Sequence, residues 1–135
     1  MKQNIAITVD SVVFCKADKF KVLLVKRKNE PFQDQWALPG GFLEEGEDLE
    51  TGAKRELKEE TGVEVDSMEQ VKAFGTPGRD PRGPTVTIAF LSRIYCEEDL
   101  KPSDDAKDAR WFEVDKLPDL AFDHDKIIKV ARQFL

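Results

Sequence analysis

The chain is poor in the residues that soft metals and histidine-based catalysis draw on. It has one histidine, His124, and two cysteines, Cys15 and Cys96. Zinc sites usually take His or Cys ligands, so zinc is not the expected metal. A lone histidine near a helix start reads as a capping or packing group rather than a catalyst. Both cysteines lie in apolar, strand-like contexts. Two buried free thiols are the expected state, with a disulfide as the other reading. No window approaches the roughly 18 apolar residues that a membrane-spanning helix needs. The start, MKQNIAITVD, has no apolar signal region followed by a cleavage site. The expected location is the cytoplasm. There is no repeat, no low-complexity tract and no linker. There is also no long basic run, and the formal net charge is −6, which argues against nonspecific nucleic-acid binding. A local basic pocket for a phosphate stays compatible with that balance.

What the chain does have is charge on a globular background. Of its 135 residues 40% are hydrophobic and 36% charged, which reads as one domain, 1–135, with a real core. Residues 41–63, GFLEEGEDLETGAKRELKEETGV, organise the rest. They read as a loop that becomes a helix, with Asp48 at the N-cap and Gly62 at a left-handed C-cap. Leu49, Ala53 and Leu57 mark the face turned to a core. Glu56 and Glu60 fall on or beside that same face, Glu59 on its flank, and Lys54 and Lys58 opposite. Two like charges at i,i+4, near the negative end of the helix dipole and turned inward, are costly in three ways. A divalent cation would remove all three costs, and oxygen ligands at this density suit magnesium or manganese. The plainer reading is a solvated acidic helix end.

Gly41, Glu47, Arg55-Glu56-Leu57, Glu59-Glu60 and Gly62-Val63 occupy every defined position of a known pattern. The stretch resembles the Nudix box in full. The resemblance implies a magnesium-dependent hydrolase of a nucleoside diphosphate linked to another group, with Mn2+ as a possible substitute. It implies that Glu56, Glu59 and Glu60 ligate the metal together with a backbone carbonyl at Gly40, and that Arg55 orients the carboxylates.

Elsewhere the chain reads as strands and shaped loops. Residues 5–15 and 21–26 suggest a hairpin, ending in Lys26-Arg27-Lys28. That cluster is either a solvated strand end or a site where Arg27 grips a phosphate. Residues 36–42, WALPGGF, resemble the group of the family that hydrolyses ADP-ribose, which makes Trp36 and Gly41 candidates for substrate contact. On general grounds Trp36 is core. Gly52 inside the helix suggests close packing against a strand. Residues 63–74 and 85–96 read as further strands.

Between them lies GTPGRDPRGP, whose prolines and glycines make a stiff loop. It presents Arg79 and Arg82 either to solvent or to a diphosphate. The DPRG run also resembles the ADP-ribose group and favours the second reading. Which arginine touches substrate is open, and Asp80 is a candidate for holding one in place. The acidic stretch 97–108 is a loop in which the family often supplies a general base. Asp105 and then Asp104 are the first candidates, ahead of Glu97 and Glu98. Residues 109–114 form a last strand, and 122–135 a helix with a broad apolar face. The LAFDHDKI segment resembles the ADP-ribose group too, which implies a part in the pocket or in a dimer contact.

The expected fold is α+β, a Nudix α/β/α sandwich with a mixed sheet between the box helix and a C-terminal helix. The expected reaction is hydrolysis of ADP-ribose to AMP and ribose 5-phosphate, with no nucleic acid or membrane partner. A homodimer is implied by the family alone. Two rivals stand beside it: another nucleotide substrate, such as an oxidised triphosphate, a nucleotide sugar or a dinucleotide, and a non-catalytic ADP-ribose sensor. Sensors of this group carry a DNA-binding domain after the Nudix domain. The sequence as given ends at Leu135 and keeps every box glutamate, so an enzyme is expected.

Overall fold

A computed structural model describes residues 2–96, 100–101 and 106–135, with the backbone alone for Lys107. In chain order the elements are β1 (Ala6–Lys16), β2 (Phe20–Arg27), β3 (Trp36–Ala37), β4 (Gly40–Phe42), α1 (Leu49–Thr61), β5 (Glu69–Phe74), β6 (Thr85–Ile94), β7 (Ala106–Glu113) and α2 (His124–Ala131), closed by a 3-10 turn at Arg132–Phe134. The strands form one mixed sheet in the order β3-β2-β1-β6-β5, with β4 paired to β1 and β7 to β2. Among the described strands, β1 and β6 are the one pair that runs parallel.

The period-two alternation of β1 distributes its side chains between two helices. Val9 and Val13 point to one face, where they pack with Ala53 and Leu57 of α1. Val12 and Phe14 point to the other and meet Ile127, Ile128 and Ala131 of α2. The sheet is thus covered on both faces, which gives the expected α/β/α layering.

The sheet is split near its centre. At one end β1 pairs with β2, from Phe14↔Val22 to Lys16↔Phe20. Toward the other end the two strands part, and each takes a new neighbour. β2 pairs with β3 through Val25↔Ala37, while β1 pairs with β4 through Asp10↔Gly40 and Thr8↔Phe42. Leu38-Pro39 carries the chain across the gap, and Ser11 N–H donates to the Pro39 carbonyl at 2.8 Å. Proline keeps Leu38 extended, which suits a crossing of this kind.

Several expectations are corrected in detail. Cys15 and Cys96 are not free thiols but a disulfide, with Cα atoms 5.2 Å apart. The parallel register brings Ile94 beside Cys15, and Cys96 follows two residues later. Gly52 packs not on a strand but on the side chains of Leu43 and Glu47 in the loop before α1. Asp48 is the N-cap by position, though its side chain makes no capping bond. The strand expected from residue 63 begins at Glu69, because Val63 and Val65 turn under α1 into the cluster with Leu57. The last strand starts earlier, at Ala106, and the final helix starts later, at His124.

Candidate active site

The split in the sheet opens into a cleft. Its floor is Thr8 and Asp10 of β1, one wall is Gly40-Gly41-Phe42, and Glu60 reaches it from α1. Arg27, Arg79 and Arg82 line it as well, together with Phe122 and His124.

The acidic end of α1 is tied to the cleft by a backbone bond. Glu60 is 8% exposed, and its Oε1 accepts the Gly40 N–H at 2.7 Å. Arg55 gathers the other carboxylates. Its Nε and Nη2 donate to Glu47 at 2.6 and 3.0 Å. Its Nη1 donates to Glu56 at 2.9 Å and to Glu59 at 3.3 Å. The bonds to Glu47, more than those to Glu56, hold the Arg55 pKa above its ordinary value against the effect of burial. In return they hold Glu47 below the usual carboxylate range. Arg55 therefore sets the orientation of three glutamates at once.

The donors available here fit a hard divalent cation in kind: all are oxygens, on adjacent turns of one helix and beside a backbone turn. A Cβ at Gly41 would sit 2.8 Å from Glu56 Oε1, so the glycine leaves the space this carboxylate occupies. Among the described residues, no three Asp, Glu, His or Cys side chains are gathered closely enough to hold an ion as they stand. Glu56 and Glu59 are turned toward Arg55 instead.

The three arginines are held differently. The Arg79 side chain is 5% exposed and lies in a two-point bond with Asp123, 2.9 Å from Nε and 2.7 Å from Nη2. Burial works to lower its pKa, but Asp123 outweighs that and holds it raised. Arg82 keeps a side chain 41% exposed and is gripped by buried Asp80, through Nε at 3.1 Å and Nη2 at 2.8 Å. Burial pushes Asp80 up, and the Arg82 bonds bring it below its ordinary value. The Arg82 guanidinium also lies 4.7 Å from the Phe42 ring centroid and 5.6 Å from that of Phe122. Arg27 donates from Nε to the Pro31 carbonyl at 2.7 Å and lies 4.9 Å from the Phe122 centroid. Burial, then the charge of Arg82, depress its pKa.

Trp36, expected against substrate, lies outside the lining of the cleft. It packs on the α2-side core and edge-on to Phe112, at 4.9 Å. Its carbonyl accepts the Ala121 N–H, which fixes the chain just ahead of Phe122. Asp104, Asp105, Glu97 and Glu98 lie outside the described residues.

The sequence does not single out Asp10, it points to Phe122 and Asp123 only through the LAFDHDKI segment, and it reads His124 as a capping or packing group. His124 Nδ1 accepts the Leu38 N–H at 3.0 Å. Its burial depresses its pKa, opposed by Asp10 and Asp123. Phe122 sits at φ 53°, as Phe32 sits at φ 59°, and their rings meet at 4.8 Å. Positive φ in a bulky residue is uncommon and concentrates at functional sites. The one advance signal was the LAFDHDKI segment, two of whose residues do line the cleft.

A family model described as the NUDIX domain matches residues 6–131. The chain belongs to the NUDIX family. It is 47% identical over 124 residues to the ADP-ribose pyrophosphatase of Methanocaldococcus jannaschii, covering 92% of this chain and 71% of that protein. It is 35% identical to the ADPR responsive transcriptional repressor NtrR of Acinetobacter baylyi, covering 92% of this chain and about half, 52%, of the repressor. Among solved structures, the NUDIX domain of Shewanella oneidensis NrtR complexed with ADP ribose superposes with a TM-score of 0.90 at 36% identity, covering 98% of this chain and 90% of that one. Members of the family that hydrolyse their substrates generally use divalent metal ions.

Proposed function

We propose that this Nudix hydrolase cleaves the diphosphate of ADP-ribose, giving AMP and ribose 5-phosphate, with Mg2+ as its cofactor and Mn2+ as a substitute. The observation that carries this reading is the meeting of Glu60, from the acidic end of α1, and an Asp80-held, half-exposed Arg82 around one cleft. The relatives named above add support at the level of substrate.

In this reading Glu56, Glu59, Glu60 and the Gly40 carbonyl hold the metal. When bound, the metal offsets the diphosphate's charge and raises the acidity of water. Arg55 keeps the carboxylates oriented. Arg82 and Arg27 bind phosphate oxygens, and Arg79 acts from behind by fixing the loop. A carboxylate, Asp105 or Asp104 first and Glu59 otherwise, takes the proton from a water that attacks one phosphorus in line with the leaving oxygen. Positioning and charge neutralisation carry most of the rate. The protein acts in the cytoplasm as a homodimer, without a nucleic-acid or membrane partner.

The test is a substrate panel with Mg2+: ADP-ribose, NADH, nucleotide sugars, dinucleoside polyphosphates and 8-oxo-dGTP, with Glu60→Gln as the blank. Gln keeps an acceptor for the Gly40 N–H, so the fold stays while turnover falls by orders of magnitude. A preference for ADP-ribose that vanishes in the blank supports the reading. Sensing is the second reading, favoured by the likeness to NtrR. ADP-ribose that binds but is not turned over would decide for it.

A further inference from the structure

The floor of the cleft holds a carboxylate that the proposed chemistry does not use. Asp10 sits in the middle of β1 and is 6% exposed. Its strand parity puts it on the face that Val12 and Phe14 fill with core further along. At position 10 the same face opens into the cleft.

The two oxygens of Asp10 have unlike surroundings. Oδ2 accepts the Thr87 hydroxyl at 2.5 Å. His124 Nε2 also faces Oδ2, at 3.7 Å. Since His124 Nδ1 accepts the Leu38 N–H, the neutral ring carries its proton on Nε2 and points it at Asp10. Oδ1 takes part in neither of these contacts. It lies against Gly40, where a Cβ would be 2.3 Å away. On the other side of that glycine, the N–H is held by Glu60. Oδ1 and the Glu60 carboxylate therefore lie against the same glycine.

A buried carboxylate is costly unless its oxygens are satisfied. Its partner here must be a donor, which excludes a phosphate oxygen. Arg27 and Arg82 suit the phosphates, and a phosphate above Asp10 would be repelled. In a nucleoside diphosphate derivative the donors next to the diphosphate are sugar hydroxyls. The base amino group is a whole ribose further off. We propose that Asp10 determines specificity by accepting a hydrogen bond, at Oδ1, from a sugar hydroxyl adjacent to the substrate's diphosphate. Thr87 and His124 hold Oδ2 so that Oδ1 stays aimed at the ligand. The inference rests on the proposed ADP-ribose reading and adds a selection against deoxy-sugars. A site built to bond a hydroxyl rejects an analogue without it far more sharply than an apolar pocket rejects a lost methylene.

The test compares kcat/KM for ADP-ribose with that for analogues lacking the 2- or 3-hydroxyl of either ribose. It is run on the wild type, Asp10→Asn and Asp10→Ser, the last keeping a hydroxyl for Thr87. Ratios taken within one preparation do not depend on the fraction folded. The wild type should favour ADP-ribose over one analogue by about 10- to 100-fold. Asp10→Ser, too short to reach the hydroxyl, should bring that ratio to within about threefold, Asp10→Asn, whose amide still meets a hydroxyl, should lower it by less, and the analogue affected tells which ribose lies over Asp10. Where a variant loses turnover, the ratio of Kd values replaces it. A wild type indifferent to every analogue would overturn the inference, as would a preference that survives in both variants. If the panel instead names another ribonucleotide, ADP-ribose fails as the substrate. The same ratio against the deoxy form of that nucleotide then decides Asp10 separately.

Discussion

Arg79 and Asp123, 44 residues apart, meet in a two-point ion pair that is almost wholly removed from solvent. It ties the stiff 75–84 loop to the N-cap of α2. Two parallel bonds fix both the direction and the distance of the guanidinium. Both arginines line the cleft, but the Arg79 side chain is nearly buried in its bond to Asp123, while that of Arg82 stays 41% exposed.

Removing one partner should leave the other buried and uncompensated. Asp123→Ala and Arg79→Ala are each expected to cost about 3 kcal/mol in stability, read by urea unfolding. The double substitution should cost clearly less than the two added together. If Arg79→Ala raised KM with no loss of stability, Arg79 would belong with the phosphate ligands instead.

Arg82 calls for a gentler change, because deleting it would strand buried Asp80. Arg82→Lys keeps the charge but loses the planar fork and the stacking on Phe42 and Phe122. The KM for ADP-ribose should rise by about tenfold, with stability within about 1 kcal/mol of the wild type. An unchanged KM would mean that the phosphates do not reach this arginine.

The paired glycines should respond differently to the same substitution. A Cβ at Gly40 would lie 2.2 Å from the Val9 carbonyl, which is backbone and has little room to yield. Gly40→Ala should therefore break the β1–β4 pairing and melt well below the wild type. The three atoms nearest a Cβ at Gly41 all belong to the end of Glu56, at 2.8 to 3.0 Å, and that side chain can swing aside. Gly41→Ala should fold normally and lose turnover, because the displaced carboxylate is one of those proposed to hold the metal. Melting temperature and kcat measured on both variants separate the two effects.

The elements that were legible in advance owe it to local pattern. The helical period of Leu49, Ala53 and Leu57, with Gly62 in the left-handed conformation behind them, defines α1 without reference to anything distant. The inward glutamates follow from the same period. What could not be read depends on register between remote segments. Asp10 is a charged residue in a β-branched strand, and only its pairing with Gly40 brings it to the cleft. Arg79 and Arg82 flank Asp80-Pro81 alike, and nothing local says that one pairs with Asp123. Trp36 shares a motif with residues that do line the cleft, yet its side chain turns to the core while Ala37 beside it faces the site. The Cys15–Cys96 bond needed the parallel β1–β6 register.

His124 gives the fold a pH dependence whose sign is set by burial. Buried among Phe122, Leu38 and Asp10, it is favoured as the neutral ring, so its pKa in the folded state lies below the ordinary 6.5. Burial is the main cause, and the nearby cations Arg79 and Arg27 act the same way. Asp10 and Asp123 oppose them. Above the ordinary value neither state binds the proton, and His124 costs nothing. As pH falls below it the unfolded chain takes up a proton that the folded one refuses, so stability declines. The slope contributed should approach about 1.4 kcal/mol per pH unit and end at the folded-state pKa. His124→Asn supplies an amide oxygen near the position of Nδ1 for the Leu38 N–H and cannot titrate. Urea unfolding of both proteins at pH 7.5, 6.0 and 5.0 should show their stabilities diverging in the wild type's disfavour as pH drops. Parallel curves would mean that His124 is free to take its proton in the folded state, and that the bond from Leu38 does not hold its Nδ1 as an acceptor.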